Sequence, residues 1–426
     1  MKKKRFLTTL AAAALAASML SALPASAENY DSTKWATGSS TTLKKYLVID
    51  KDAIVPAATF TYSIAPGEAV NYSGTDTIAA YAGVGADTGN KLITISSASF
   101  TSASATTAGA ADDGITNSTD KKYASADFTL DFKDVKFKEP GVYRYVLTET
   151  GAGTTDNLGA GISHVGNYQK TLDVYVTDNN GTLSVESYVL YNKVIDTAPA
   201  ISDDTALDDK VDRRSTTNTA KTDGFVNEFA CQSLSFAKKV AGNQGSKDKY
   251  FKFTVAITNA NGATLTVNAA KSSFEATTSQ NSATVYTTTV MDAANTVDQS
   301  TADGQQLVIA SDSASYDFYL QDGQYITIDG LPVGASYEVA EAAEEYTSEA
   351  ANEDGKKFTL GTIEFKDAAS GTIGTADVAT GYTNTKNGTI PTGVILSIAG
   401  PAVVGLAVIG GLIFMIIKRK KEDSED

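Results

Sequence analysis

Cysteine and histidine are nearly missing from this chain of 426 residues, where Cys231 and His164 are the only ones of their kind. A lone cysteine cannot close a disulfide within the chain, so stability that many exported domains draw from disulfides has to come from elsewhere. Cys231, beside Phe229, reads as a small buried residue rather than a nucleophile or half of a thioester. With one histidine, His-based triads are confined to a single place, and no His, Cys and Asp cluster has metal-ligand spacing. Neither a metal nor a cofactor is expected. A secreted hydrolase has little support: Glu344-Glu345 reads as a solvated charged edge rather than a glycosidase pair, and His164 reads as a loop residue following Gly161.

Positive charge is also scarce, with 35 Lys and Arg against 50 Asp and Glu and a formal net charge of −15. Such acidity disfavours nucleic acid as a partner and suits a solvated surface outside the cell. Helical periodicity is the third absence. Before residue 394 no amphipathic pattern of ordinary helical length occurs, save a short candidate stretch at 340–345.

The two ends read as addresses rather than fold. Met1-Lys2-Lys3-Lys4-Arg5, an apolar run from Phe6 and then Ala25-Ser26-Ala27 predict a secretory signal peptide over residues 1–27. Residues 394–417 carry no charge and are long enough to cross a bilayer as a transmembrane helix. Lys418-Arg419-Lys420-Lys421 follows at once, which keeps the tail, 418–426, on the inner side. Thr389-Ile390-Pro391-Thr392-Gly393 stands just before the span.

What is present between those ends is period-two alternation. Phe60, Tyr62 and Ile64 alternate with Thr59, Thr61 and Ser63. Phe128-Thr129-Leu130-Asp131-Phe132 repeats the pattern, and Asn180-Gly181 joins two alternating runs as a hairpin. Residues 84–125 are mostly small and polar apart from a short apolar strand, Leu92-Ile93-Thr94-Ile95, and read as an elaborate loop region. The polar stretch 196–223 reads as a surface excursion. Phe225 to Phe229 closes a first unit and Leu234 opens a second, in which Phe251, Phe253, Val255 and Ile257 share a face. The pattern predicts an all-β chain of two sandwiches, 28–230 and 231–388, stacked end to end across a short junction.

Polar residues break the apolar phase in a repeated order. Lys45 is in phase with Leu43, Leu47 and Ile49, and Lys238 with Leu234, Phe236 and Val240, whereas Lys44 and Lys239 fall on the outward phase. Glu149 continues the face of Tyr143, Tyr145 and Leu147 while Arg144 and Thr148 point away, and Glu341 continues that of Tyr337 and Val339. Asn227 is in phase with Phe225 and Phe229, and Asn384 with Tyr382. The sequence Lys, Glu, Asn therefore occurs twice: Lys45, Glu149, Asn227, then Lys238, Glu341, Asn384.

Burying such groups costs several kcal/mol per ion and is expected to push the lysine pKa down and the glutamate pKa up. A neutral lysine amine can attack an asparagine carbonyl while the neighbouring carboxyl shuttles protons to the departing ammonia. The product is a Lys-Asn isopeptide bond formed without an external enzyme, because the fold supplies proximity.

These residues resemble the two-domain major pilins of streptococcal-type Gram-positive pili. The likeness is strongest over residues 316–341, including Gly330-Leu331-Pro332-Val333-Gly334-Ala335-Ser336-Tyr337-Glu338-Val339-Ala340-Glu341, in Lys138-Glu139-Pro140-Gly141-Val142-Tyr143, and in Gly381-Tyr382-Thr383-Asn384. The resemblance implies tandem Ig-like domains, each with a self-generated bond: Lys45 to Asn227 assisted by Glu149, and Lys238 to Asn384 assisted by Glu341. It implies a structural, non-enzymatic pilus subunit at the cell surface, reached through a transient membrane-anchored precursor. Residues 389–393 then look like a sortase sorting signal, although Thr389-Ile390 stand where the usual pentapeptide has Leu-Pro. Thr392 would be the acyl donor, cleaved from Gly393, and Lys221 the intersubunit acceptor, with Lys193 and Lys210 in reserve. Implied partners are a pilin sortase, other copies of the chain, peptidoglycan or a base pilin, and a host receptor. The alternative is a wall-anchored adhesin or accessory pilin that binds host ligands.

Overall fold

The structure, a computed structural model, describes residues 32–69, 80–109, 119–151, 158–195, 221–268, 289–291, 297–298, 305–309 and 313–388. The expected signal peptide, the 389–393 motif with Thr392 and Gly393, the span 394–417, its tail and Lys210 lie outside these residues. The described chain is all-β: its only helical piece is one turn of 3-10 helix at Glu353–Gly355. Strands from Ala36 to Phe229 pair among themselves, and those from Cys231 to Thr385 do likewise.

The first set forms two main sheets. One runs Ile162–Val165, Gly224–Phe229, Ser40–Asp50, Lys121–Asp131, Thr94–Ile95. The other runs Lys221–Thr222, Thr182–Tyr191, Gln169–Asn179, Gly141–Thr150, Ala58–Pro66, Ala98–Phe100. Side chains of alternate phase, among them Phe128, Leu130, Tyr145, Leu147, Leu172 and Phe225, meet in the core. The second set repeats the arrangement. One sheet runs Gln305–Val308, Thr264–Asn268, Tyr325–Pro332, Cys231–Ala241, Val378–Thr385, Thr347–Ala350, and the other includes Ser313–Leu320, Phe251–Thr258 and Ser336–Glu341. Leu234, Phe236, Phe253, Val255, Ile326 and Val339 lie in its core.

In each set the first long strand and the last lie side by side and parallel: Ser40–Asp50 with Gly224–Phe229, and Cys231–Ala241 with Val378–Thr385. The close approach explains two glycines. A Cβ on Gly224 would sit 1.7 Å from the Lys44 carbonyl oxygen, and one on Gly381 would sit 2.6 Å from that of Ala237. Each glycine thus lets the last strand pair with the residue preceding the inward lysine. At the junction, Ala57 N–H donates to Gly262 O at 2.7 Å and Val333 N–H to Ala230 O at 3.0 Å.

The Asn180-Gly181 hairpin forms as the dipeptide predicts, both residues having positive φ. Three expectations need correction. Residues 84–125 contain five short strands and the start of a long one, because regular pairing with Ser40–Asp50 already begins at Lys121. Residues 340–345 are not helical: Glu341 ends a strand, and Glu344 takes a left-handed φ of 51°, which a right-handed helix excludes. His164 is not in a loop but in the edge strand Ile162–Val165, directly opposite Asn227. Arg144 does leave the core face, yet it is buried, forking onto Asp173 at 2.9 and 2.8 Å under the Ile195 carbonyl.

Candidate functional site

Each inward lysine and asparagine stand on the paired parallel strands, and each inward glutamate reaches across from the opposite sheet. The registers coincide. Asn227 lies opposite Leu47, two residues beyond Lys45, and Asn384 lies opposite Val240, two residues beyond Lys238. Since side chains two apart share a face, lysine and asparagine point together into the interior. All six side chains are essentially buried, Lys45, Asn227, Lys238 and Asn384 at 0% exposure and Glu149 at 1%.

In the first cluster the Lys45 ammonium contacts Glu149 Oε1 and donates to Asn227 Oδ1. In the second, Glu341 Oε1 accepts both from Lys238 Nζ at 2.9 Å and from Asn384 Nδ2 at 2.8 Å. The two amides are turned oppositely. Asn227 presents its oxygen to the lysine, whereas Asn384 presents its nitrogen, the leaving group of an amide exchange, to the carboxylate. Lys44 and Lys239, by contrast, face outward; Lys44 pairs with the exposed Asp127.

Aromatic floors complete both sites. Lys45 Nζ lies 4.2 Å from the centre of the Phe60 ring and Lys238 Nζ 4.1 Å from that of Phe251. Two residues on, Tyr62 and Phe253 are the cross-strand neighbours of Glu149 and Glu341. Burial lowers the pKa of each lysine to about 8, against the opposing pull of Glu149 or Glu341. A ring face eases burial of the cation and excludes water.

Glu149 departs from the expected direction. Burial alone raises its pKa, but Lys45 and His164 outweigh it and hold the carboxyl below the usual range. Lys45 Nζ touches Glu149 Oε1, so a proton can pass directly between them. As Lys45 loses its charge, the main influence holding Glu149 ionised disappears and desolvation favours the acid. Transfer of the proton within the pair yields a neutral nucleophile and a proton donor with no change in net charge.

Strand phase alone missed Phe60, Phe251, His164 and Ser348. The aromatic pair had a signal, since Phe60-x-Tyr62 and Phe251-x-Phe253 recur at the start of equivalent strands. His164 Nδ1 lies 3.2 Å from Glu149 Oε2, and Ser348 Oγ donates to Glu341 Oε2 at 3.0 Å. Lys221, on the edge strand Lys221–Thr222 opposite Tyr191, and Lys193 are half-buried and belong to neither cluster.

Residues 56–230 match a family described as a Spy0128-like isopeptide containing domain, and residues 232–386 match one described as a domain of unknown function (DUF7601). The first match contains Glu149 and Asn227 but begins beyond Lys45; the second contains Lys238, Glu341 and Asn384. A curated protein named Pilin, from Streptococcus pyogenes serotype M1, is 27% identical over 394 residues, covering 90% of this chain and 91% of that one. These matches support a likeness to the streptococcal-type major pilins. Solved structures similar to this chain include the crystal structure of the major pilin from Streptococcus pyogenes, 22% identical, covering 82% of this chain and 99% of that one with a TM-score of 0.44. Another is the major pilin protein T3.2 of the same organism, 19% identical, with coverages of 83% and 99% and a TM-score of 0.44.

Proposed function

We propose that this structural pilus subunit is cross-linked inside each of its two units, Lys45 to Asn227 and Lys238 to Asn384. The observation that carries the reading is the duplicated constellation: an amine and an amide offset by two residues on adjacent parallel strands, with a carboxyl from the facing sheet. In each site the lysine proton passes to Glu149 or Glu341, and the neutral amine attacks the asparagine side-chain carbonyl. The carboxyl then gives that proton to the departing Nδ2 and takes the second proton of the attacking amine, ending as the neutral acid. One N–C bond forms, one breaks, and ammonia leaves. Two buried charges become one neutral amide, which removes the desolvation cost they impose.

In this proposal the two units are tandem Ig-like domains over 28–230 and 231–388, exported by a signal peptide and held by the 394–417 helix as a transient precursor. A pilin sortase cleaves between Thr392 and Gly393 and joins Thr392 to a lysine of another copy, with the last subunit passed to peptidoglycan or a base pilin. A host receptor is a further candidate partner. Mass spectrometry of the purified chain tests the internal bonds. The expected deficit is two ammonias, with Lys45-Asn227 and Lys238-Asn384 peptides in the digest. A mass equal to that of the translated, processed residues would remove the proposal.

Lys221 is the proposed acceptor because it lies six residues before Asn227, on a sheet edge. Coexpression with the cognate sortase should give SDS-resistant ladders that disappear in Lys221→Ala. Ladders unchanged in that variant would assign the role to another lysine, Lys193 or Lys210 first.

A further inference from the structure

His164 and Ser348 occupy the same place in the two sites. His164 stands opposite Asn227 on the edge strand flanking the last strand of its unit, and Ser348 stands opposite Asn384 on the corresponding edge strand. Each touches the carboxylate oxygen that the lysine does not use: His164 Nδ1 lies 3.2 Å from Glu149 Oε2, and Ser348 Oγ lies 3.0 Å from Glu341 Oε2. The two contacts are made by different side chains at one register position, which argues that the position serves the carboxylate rather than the packing of either unit.

We infer that the residue opposite the bonding asparagine is a positioning residue for the carboxyl that drives amide exchange, His164 for Glu149 and Ser348 for Glu341. The inference rests on the proposed intramolecular bonds. Glutamate has three side-chain torsions and enters each site from the facing sheet, so one oxygen on the lysine does not fix the carboxyl plane. A second hydrogen-bonding contact to the other oxygen does, and it aims the proton at the asparagine nitrogen. The two residues differ in reach. Imidazole spans from the edge strand with its side chain 19% exposed, and its ring lies against Tyr168 with ring centres 5.3 Å apart. The serine hydroxyl needs a shorter approach and sits on a strand that also pairs with Val378–Thr385.

The test uses the full chain made by cell-free synthesis, quenched at intervals and digested, with both cross-linked peptides quantified in each sample. In His164→Ala the Lys45-Asn227 peptide is expected to accumulate more slowly by about one to two orders of magnitude, the loss expected when a reacting group is misplaced by an ångström. The Lys238-Asn384 peptide in the same digest should keep its normal rate. His164→Gln, which keeps a hydrogen-bonding group at similar reach, should recover most of the first rate, while Ser348→Ala should slow only the second. Equal rates for both peptides in His164→Ala would overturn the inference, as would a slow first bond that His164→Gln fails to recover. Failure of the underlying reading looks different: neither cross-linked peptide would then appear in the parent chain.

Discussion

Asn227→Ala should unfold the first unit about 10–20 °C below the parent chain while leaving the transition of the second unit in place. The reasoning starts from the separation of the tied residues, 182 positions apart in sequence. On the chain-entropy view, closing a loop of that length removes freedom from the unfolded ensemble worth about 5 kcal/mol. Asn227 is the residue to change because the Lys45-Glu149 pair survives the substitution. Changing either member of that pair instead leaves a buried charge without its partner, which itself costs about 3–5 kcal/mol. The truncation has a cost of its own, and a double-mutant cycle separates it. In a Glu149→Gln background, measured before the slowed tie has formed, Asn227→Ala should cost only about 1 kcal/mol more. Scanning calorimetry decides the matter, and equal shifts in both backgrounds would mean that no covalent tie contributes.

Glu149→Gln and Glu341→Gln are each expected to slow one condensation by roughly 100-fold to 10000-fold, the usual contribution of a positioned acid-base group. Glutamine keeps the shape and hydrogen-bonding reach of the side chain but carries no proton between the amine and the leaving nitrogen. Each variant should therefore retain one ammonia more than the parent chain at the same age. The parent reaction has a pH dependence whose sign follows from the lysines. Burial brings both amines to about 8, so above that pH the proton that the lysine hands to the carboxyl is lost. Condensation runs through the neutral amine beside the protonated carboxyl, so it should hold level below about pH 8 and slow above it. Rates of bond formation that climb through that pH, or that persist in the glutamine variants, would exclude a carboxyl-assisted amine attack.

Much of this arrangement was legible because a strand is a simple code. A period of two tells which residues share a face, and six polar side chains in apolar phase stand out against it. Lys45 and Lys238 separate from Lys44 and Lys239 on that basis alone, and the structure buries the first pair and turns the second outward. Phase does not say which strand lies alongside, and here the decisive neighbours are the most distant in sequence. The pairing of Ser40–Asp50 with Gly224–Phe229 is carried by Gly224, and its counterpart by Gly381, whose role appears only when the opposing carbonyl is in view. His164 was misplaced for the same reason: a four-residue edge strand after a glycine has too little alternation to announce itself. Residues 340–345 looked helical by composition, and a single left-handed residue, Glu344, rules that out. Lys45 and, after it, His164 pull the Glu149 carboxyl down against burial, and the part of His164 could not be reached before that strand was placed.

The parallel adjacency of first and last strands also sets a load path. If Lys221 takes the Thr392 of a neighbouring copy, tension enters the first unit beside its last strand, Gly224–Phe229, runs on into Cys231–Ala241 and leaves through Val378–Thr385, which lies alongside it. A covalent tie from Lys238 to Asn384 would shunt the pull straight across the second unit, and the hairpin around Asn180 would never carry it. Strands outside that path would then be free to lengthen, shorten or acquire insertions.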